Sequence, residues 1–280
     1  MAEELRKEDY AEPRCLLCET PYGMEPEIKS VPQKRIVEKM NEYMSRRDYA
    51  GAERHLLYWL EEARLGGDRR GELMIRNELT GHYRKTGDRE KSLFNAGQAI
   101  SLLKALGMED TISAGTSYVN AATAHQAFGE TEAAIALFEE ARRVYESISG
   151  TAPELLGGLY NNMALAEASL GRFREAETLW NKAVDMMGRV ENGVLEQAIT
   201  FLNMANAVED ELGLADGEAR IFALLDRAEE LLATPGIPHD GYYAFVCEKC
   251  APTFSYYGYF LTAQSLERQA EEIYKENSSH

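Results

Sequence analysis

AEASLGRFREAETLWNKAV, residues 166–184, decides the fold. Its pattern stands 42 residues earlier as AHQAFGETEAAIALFEEAR (124–142), and 42 before that as HYRKTGDREKSLFNAGQAI (82–100). The turn glycines of these copies are Gly87, Gly129 and Gly171, and a fourth turn falls at Gly213, again 42 residues on. Two divergent copies flank them. SRRDYAGAERHLLYWLEEA (45–63) turns at Arg47, and YYGYFLTAQSLERQAEEIY (256–274) turns at Gly258. A fixed period of this size marks a stacked array in which each unit buries its apolar face against the next.

Each unit has one physical plan. A helix of roughly four turns ends at a glycine, which takes the left-handed C-terminal conformation at no steric cost. The second helix carries a small residue where it crosses its partner: Ala52, Ser92, Ala134, Ala176 and Ala263. A bulky residue follows in three copies (Leu56, Phe138, Trp180), then Ala99, Ala141, Ala183 or Ala270 where the next unit packs. Small residues let helix axes approach and large ones fill the space beside them. Thr151-Ala-Pro-Glu154 reads as a capping box and Asp240 as a helix cap. The fifth copy, LGLADGEARIFALLDRA, has extra residues after its turn.

This spacing resembles the tetratricopeptide repeat (TPR) family over about residues 33–276. Its 42-residue period is closest to the long-helix variant of kinesin light chains, and Tyr160-Asn161-Asn162-Met163-Ala164 with GRFREAETLWNKAV is the most similar segment. The resemblance implies an all-α fold, a right-handed superhelix of about six antiparallel helix pairs. Their expected ranges are 33–66, 72–106, 112–148, 154–190, 195–233 and 240–276. Residues 1–32 hold four of the eight prolines and read as an irregular arm with a short helix over 2–10.

The chain of 280 residues carries 30 Lys/Arg against 47 Asp/Glu, a net charge of −17. Such acidity repels phosphate backbones and anionic lipid, so neither nucleic acid nor membrane is an expected partner. No apolar run approaches the ~20 residues of a membrane helix, and the start has no signal-peptide core; a cytoplasmic protein is expected. No metalloprotease, nucleotide-binding or hydrolase motif occurs, and the five histidines are scattered. Catalysis is not expected.

Stacked pairs present a concave face, the usual binding surface of a solenoid. Asn77, Asn120, Asn161, Asn162 and Asn203 fall at related positions of the first helices. In the kinesin-light-chain-like subgroup such asparagines line the groove and bond an extended peptide's backbone; an amide suits this because it both donates and accepts. Residues 29–91 carry 15 Lys/Arg and 11 Asp/Glu, so Arg84 and Lys85 would favour a partner with an acidic segment. The expected function is a protein-interaction scaffold that binds a peptide or protein segment in this groove.

All four cysteines form C-x-x-C pairs, Cys15/Cys18 and Cys247/Cys250. Three readings stay open: one structural zinc shared by four thiolates, thiols packed as small hydrophobes, or a redox dithiol. In a six-unit stack the ends lie on the order of 50 Å apart, which the 14 residues from Cys18 to Pro32 just span when extended. The first reading gives an alternative function, a metal- or thiol-responsive switch that tethers the arm to the last repeat. A second alternative is a structural oligomer, such as a homodimer, formed through exposed repeat ends.

Overall fold

The computed structural model describes residues 28–278, and every regular element among them is a helix. They are α1 (Gln33–Ser45), α2 (Tyr49–Leu65), α3 (Arg69–Thr86), α4 (Arg89–Ala105), α5 (Ile112–Ala127), α6 (Thr131–Ser147), α7 (Pro153–Ser169), α8 (Phe173–Met187), α9 (Val194–Leu232), α10 (Gly241–Tyr256) and α11 (Phe260–Ser278). The helix expected over 2–10, with Cys15 and Cys18, lies outside the described residues.

The turns work as the glycine spacing requires. Gly87, Gly129, Gly171 and Gly258 all have φ between 74° and 88°. Gly213, at φ 77° and ψ 161°, breaks α9 into two limbs, so five pairs and one divided helix make six units. The extra residues of the fifth copy are used in this reversal, where Leu212 and Leu214 are exposed. The small crossing residue is then Gly217, where a Cβ would come within 3.0 Å of Val208 Cγ1.

Several helix starts are fixed by side chains. Asp48, Asp68 and Asp88 accept bonds from the amides of Gly51, Gly71 and Lys91 at 2.7, 2.9 and 3.1 Å. Asp240 Oδ1 accepts from the amides of Tyr242 and Tyr243 at 2.9 and 3.0 Å, as the sequence suggests. The capping box at Thr151 does not form. Ala152 is the cap of α7, and the Thr151 hydroxyl donates back to the Tyr145 and Ile148 carbonyls at 2.8 and 3.0 Å. With Pro153 opening the helix, the first turn has one fewer amide to satisfy.

The crossing residues Ala52, Ser92, Ala134 and Ala176 are fully buried, and Leu56, Phe138 and Trp180 fill the space beside them. Burying side chains of this size stabilises by roughly 1.5–3 kcal/mol each. Three apolar clusters follow one another, from α1 to α3, from α3 to α9, and from α9 to α11. α3 touches α5, α5 touches α7, and α7 touches α9, which puts the first helices of the units on the side of shorter radius. They form the inner layer.

The curvature is tighter than a 50 Å separation of the ends. α1 touches α11, and Arg47 in the first turn bonds Glu248 of α10 at 2.5 Å. That expected separation is therefore corrected: the first and last units meet. The described part of the arm lies against the turn between the first and second units, where the Lys29 amide donates to the Gly66 carbonyl and the Val31 amide to Asp68 Oδ2, both at 2.9 Å.

Candidate peptide-binding groove

On the inner layer, a hollow of about 470 Å³ opens between the first halves of α3 and α5. Helical spacing puts Arg70, Leu73, Met74, Asn77 and Glu78 on one face of α3, and Ile112, Ser113, Thr116 and Asn120 on one face of α5. Leu73, Met74 and Ile112 give it apolar walls, and the two asparagines supply amides.

The asparagines divide into two kinds. Asn161 is buried, and its carbonyl oxygen accepts from Asn203 Nδ2 at 3.1 Å, with Thr200 Oγ1 at 3.4 Å. Two repeats earlier, Asn77 Nδ2 donates to Ser117 Oγ at 2.8 Å, and Ser117 in turn donates to the Ser113 carbonyl at 2.9 Å. These amides tie one inner helix to the next. Asn120 and Asn162 are half-buried and make no side-chain hydrogen bond within the described residues. Their amides keep both donor and acceptor capacity.

Charge in the inner layer is held under partial desolvation. Burial raises the Glu78 carboxyl above the usual carboxylate range, and burial also lowers the Arg84 guanidinium. Arg84 is nevertheless exposed to solvent, a combination that fits a side chain inside a concave wall. Lys85 faces elsewhere. Its ammonium stands 5.7 Å from the Tyr49 ring centre and 5.9 Å from that of Phe245. The structure thus brings Asn77 and Asn120 to one hollow, pairs Asn161 with Asn203, and places Lys85 where the first and last units meet.

Sequence reasoning missed Arg70, two turns before Asn77 on the same helix, and Glu78, directly after it; their nearness to Asn77 was the available signal. It also missed Arg47 with Glu248. There the signal was an arginine in the turn position that other copies give to glycine.

Cys247 and Cys250 are buried in the last apolar cluster. Burial pushes both thiols up, Cys250 to about 12. Among the described residues no group of three or more His, Cys, Asp or Glu is placed to hold a metal. The tyrosines near them clip α10 to its neighbours: Tyr243 donates to Gln269 at 2.8 Å, and Tyr257 to Glu209 at 2.7 Å.

Residues 115–153 and 157–192, covering the third and fourth units, match the tetratricopeptide repeat model. These two units are tetratricopeptide repeats. Among solved structures, the TPR array is similar to a putative kinesin light chain from Podosopora anserina with nearly identical TPR-like repeats. The identity is 18% and the TM-score 0.50, covering 72% of this chain and 94% of that one. It is also similar to BtubC (BKLC) from P. vanneervenii, at 16% identity and a TM-score of 0.50, over 90% of this chain and 94% of that one. No curated protein matches the chain. TPR proteins in general are protein-interaction scaffolds, and no helix among the described residues is long and apolar enough to cross a membrane.

Proposed function

We propose that this TPR array is a non-catalytic scaffold that holds a protein segment along its inner layer, across α3 and α5. The carrying observation is Asn120, half-buried beside the same hollow as Asn77 with its amide unbonded. An extended segment offers one donor and one acceptor per residue, and a side-chain amide meets both. Asn162 would extend the same contact along α7. Arg84 favours a partner with an acidic segment, because a carboxylate gains most beside a cation already partly desolvated, and Arg70 adds a second positive charge at the hollow.

The other readings have less support. Cys247 and Cys250 are packed as apolar core, so a thiol or zinc switch through them would require the last unit to open. An oligomer built through free array ends draws no support from a chain whose ends touch each other.

Selection from a displayed random-peptide library tests the proposal. The expected outcome is peptides enriched in Asp and Glu whose affinity falls at least tenfold in Asn120→Ala. Selected peptides that bind an Asn77→Ala/Asn120→Ala chain as tightly as the wild type would sink the groove assignment.

A further inference from the structure

The contact between the first and last units is built unlike every other junction in the array. Each apolar cluster joins neighbouring units along the chain, and none runs from α1 or α2 to α10 or α11. What meets there among the described residues is an ion pair flanked by aromatic rings, half-open to solvent. Arg47 Nη2 donates to Glu248 Oε1 at 2.5 Å, with side chains 59% and 50% exposed. The Arg47 guanidinium stands 5.3 Å from the Tyr274 ring centre, and the Tyr274 hydroxyl donates to Glu248 Oε2 at 3.3 Å. Among the described residues the seam keeps a hollow of about 470 Å³ bordered by Tyr49, Lys85 and Phe245 and another of about 300 Å³ beside Pro252.

Two backbone features converge on the same pair. Arg47 has φ 56°, the left-handed region that a Cβ disfavours, in the turn position where other units have Gly87, Gly129, Gly171 and Gly258. Its side chain reaches the seam from that position. On the other side, Pro252 lies inside α10 and lacks the amide that would bond the carbonyl four residues back, which is that of Glu248. Arg47 therefore sits in a left-handed turn, and the Glu248 carbonyl lacks its usual amide donor four residues on.

We propose that Arg47, Glu248 and Tyr274 form a latch that holds the array as a closed ring, and that the ring opens at this seam while every unit stays folded. Exposed ion pairs are weak and screened by salt, whereas the other junctions lose apolar burial if parted. The latch gives way first. Resting on the groove reading, an open seam admits from the side a segment that has no free end to thread; the latch itself requires no ligand.

The test measures the ligand-free chain. Spin labels carried by unnatural amino acids at Asn41 in α1 and Glu272 in α11 report the distance between the end units by pulsed electron resonance. A narrow short distance is expected at low salt, and a broad longer one in 1 M salt. Arg47→Glu should open the ring at low salt, and Arg47→Glu with Glu248→Arg should restore the short distance. Arg47→Gly separates the latch from the turn. It relieves the backbone, so the thermal midpoint should hold or rise while the ring opens. An unchanged distance in salt and in the single variants would overturn the latch. So would failure of the charge swap to close the ring in a chain with wild-type helicity. Because no peptide is present, either result leaves the groove assignment standing.

Discussion

Asn203 donates its side-chain amide to the Asn161 carbonyl oxygen at 3.1 Å, across one repeat of 42 positions. The bond joins α7 to α9 in the inner layer, as Asn77 and Ser117 join α3 to α5. Repeated asparagines therefore do two jobs here, since one of each adjacent set holds the array and another is left open.

Replacement by alanine separates the two jobs. Asn161→Ala deprives Thr200 and Asn203 of a shared acceptor in a buried place, and should cost ~1–3 kcal/mol in urea unfolding. Asn120→Ala removes no bond and should change stability by no more than about 0.5 kcal/mol. If Asn120→Ala unfolds the chain as readily as Asn161→Ala, Asn120 is structural and the groove loses its principal contact.

Glu78 gives a pH signature. Burial raises its carboxyl pKa in the folded chain, so the folded state binds a proton more tightly than the unfolded state does. The stability this contributes is full below the unfolded value, near 4.5, and is lost as pH rises through the folded value. Glu78→Gln should therefore match the wild-type melting temperature in acid and exceed it at neutral pH. A gap that is constant from pH 4 to 8 would show that Glu78 ionises normally.

How far the fold could be read from the sequence follows from what repeats. Gly87, Gly129 and Gly171 announce the turns because no other residue takes their φ without strain, and Ala134 with Phe138 or Ala176 with Trp180 announce the crossings by size. Such local constraints recur in every copy and so can be seen. Closure of the ring is different. It comes from a small rotation per unit summed over six units, and its one sequence trace, Arg47 in a glycine position, looks like simple divergence. The groove was half legible: the asparagine column pointed to the inner face, but which amides are used internally depends on pairings such as Asn77 with Ser117. At Thr151 the motif was present, and two carbonyls from the preceding turn took its hydroxyl instead.

Two glycines inside helices should respond in opposite directions. A Cβ on Gly115 would lie 2.2 Å from Tyr145 Cε1, at a crossing held by a 2.9 Å bond between the Thr116 and Tyr145 hydroxyls. Gly115→Ala should destabilise by about 1–3 kcal/mol through overpacking. Gly97, in the middle of α4, has nothing within 4 Å of a Cβ. Gly97→Ala should stabilise by ~0.5–1 kcal/mol by restricting the unfolded chain. Thermal melts of the two variants decide it, and equal losses in both would mean that α4 needs glycine for a reason other than space.

The two C-x-x-C pairs can be tested for coupling. Cys247 and Cys250 lie in the apolar cluster of the last unit, and burial holds both thiols above their ordinary value, so at neutral pH they are protonated and poor nucleophiles. Alkylation at pH 8 followed by mass measurement should leave both unmodified until the chain is unfolded. A packed thiol contributes as a small hydrophobe, so Cys250→Ala should lower the melting temperature by the same amount whether or not Cys15 is also replaced. A metal shared between the pairs would behave otherwise. The first replacement would already break the site, the second would add little, and their combined effect would fall well short of the sum. Additive losses would place Cys247 and Cys250 in the core alone, with no tie to Cys15 and Cys18.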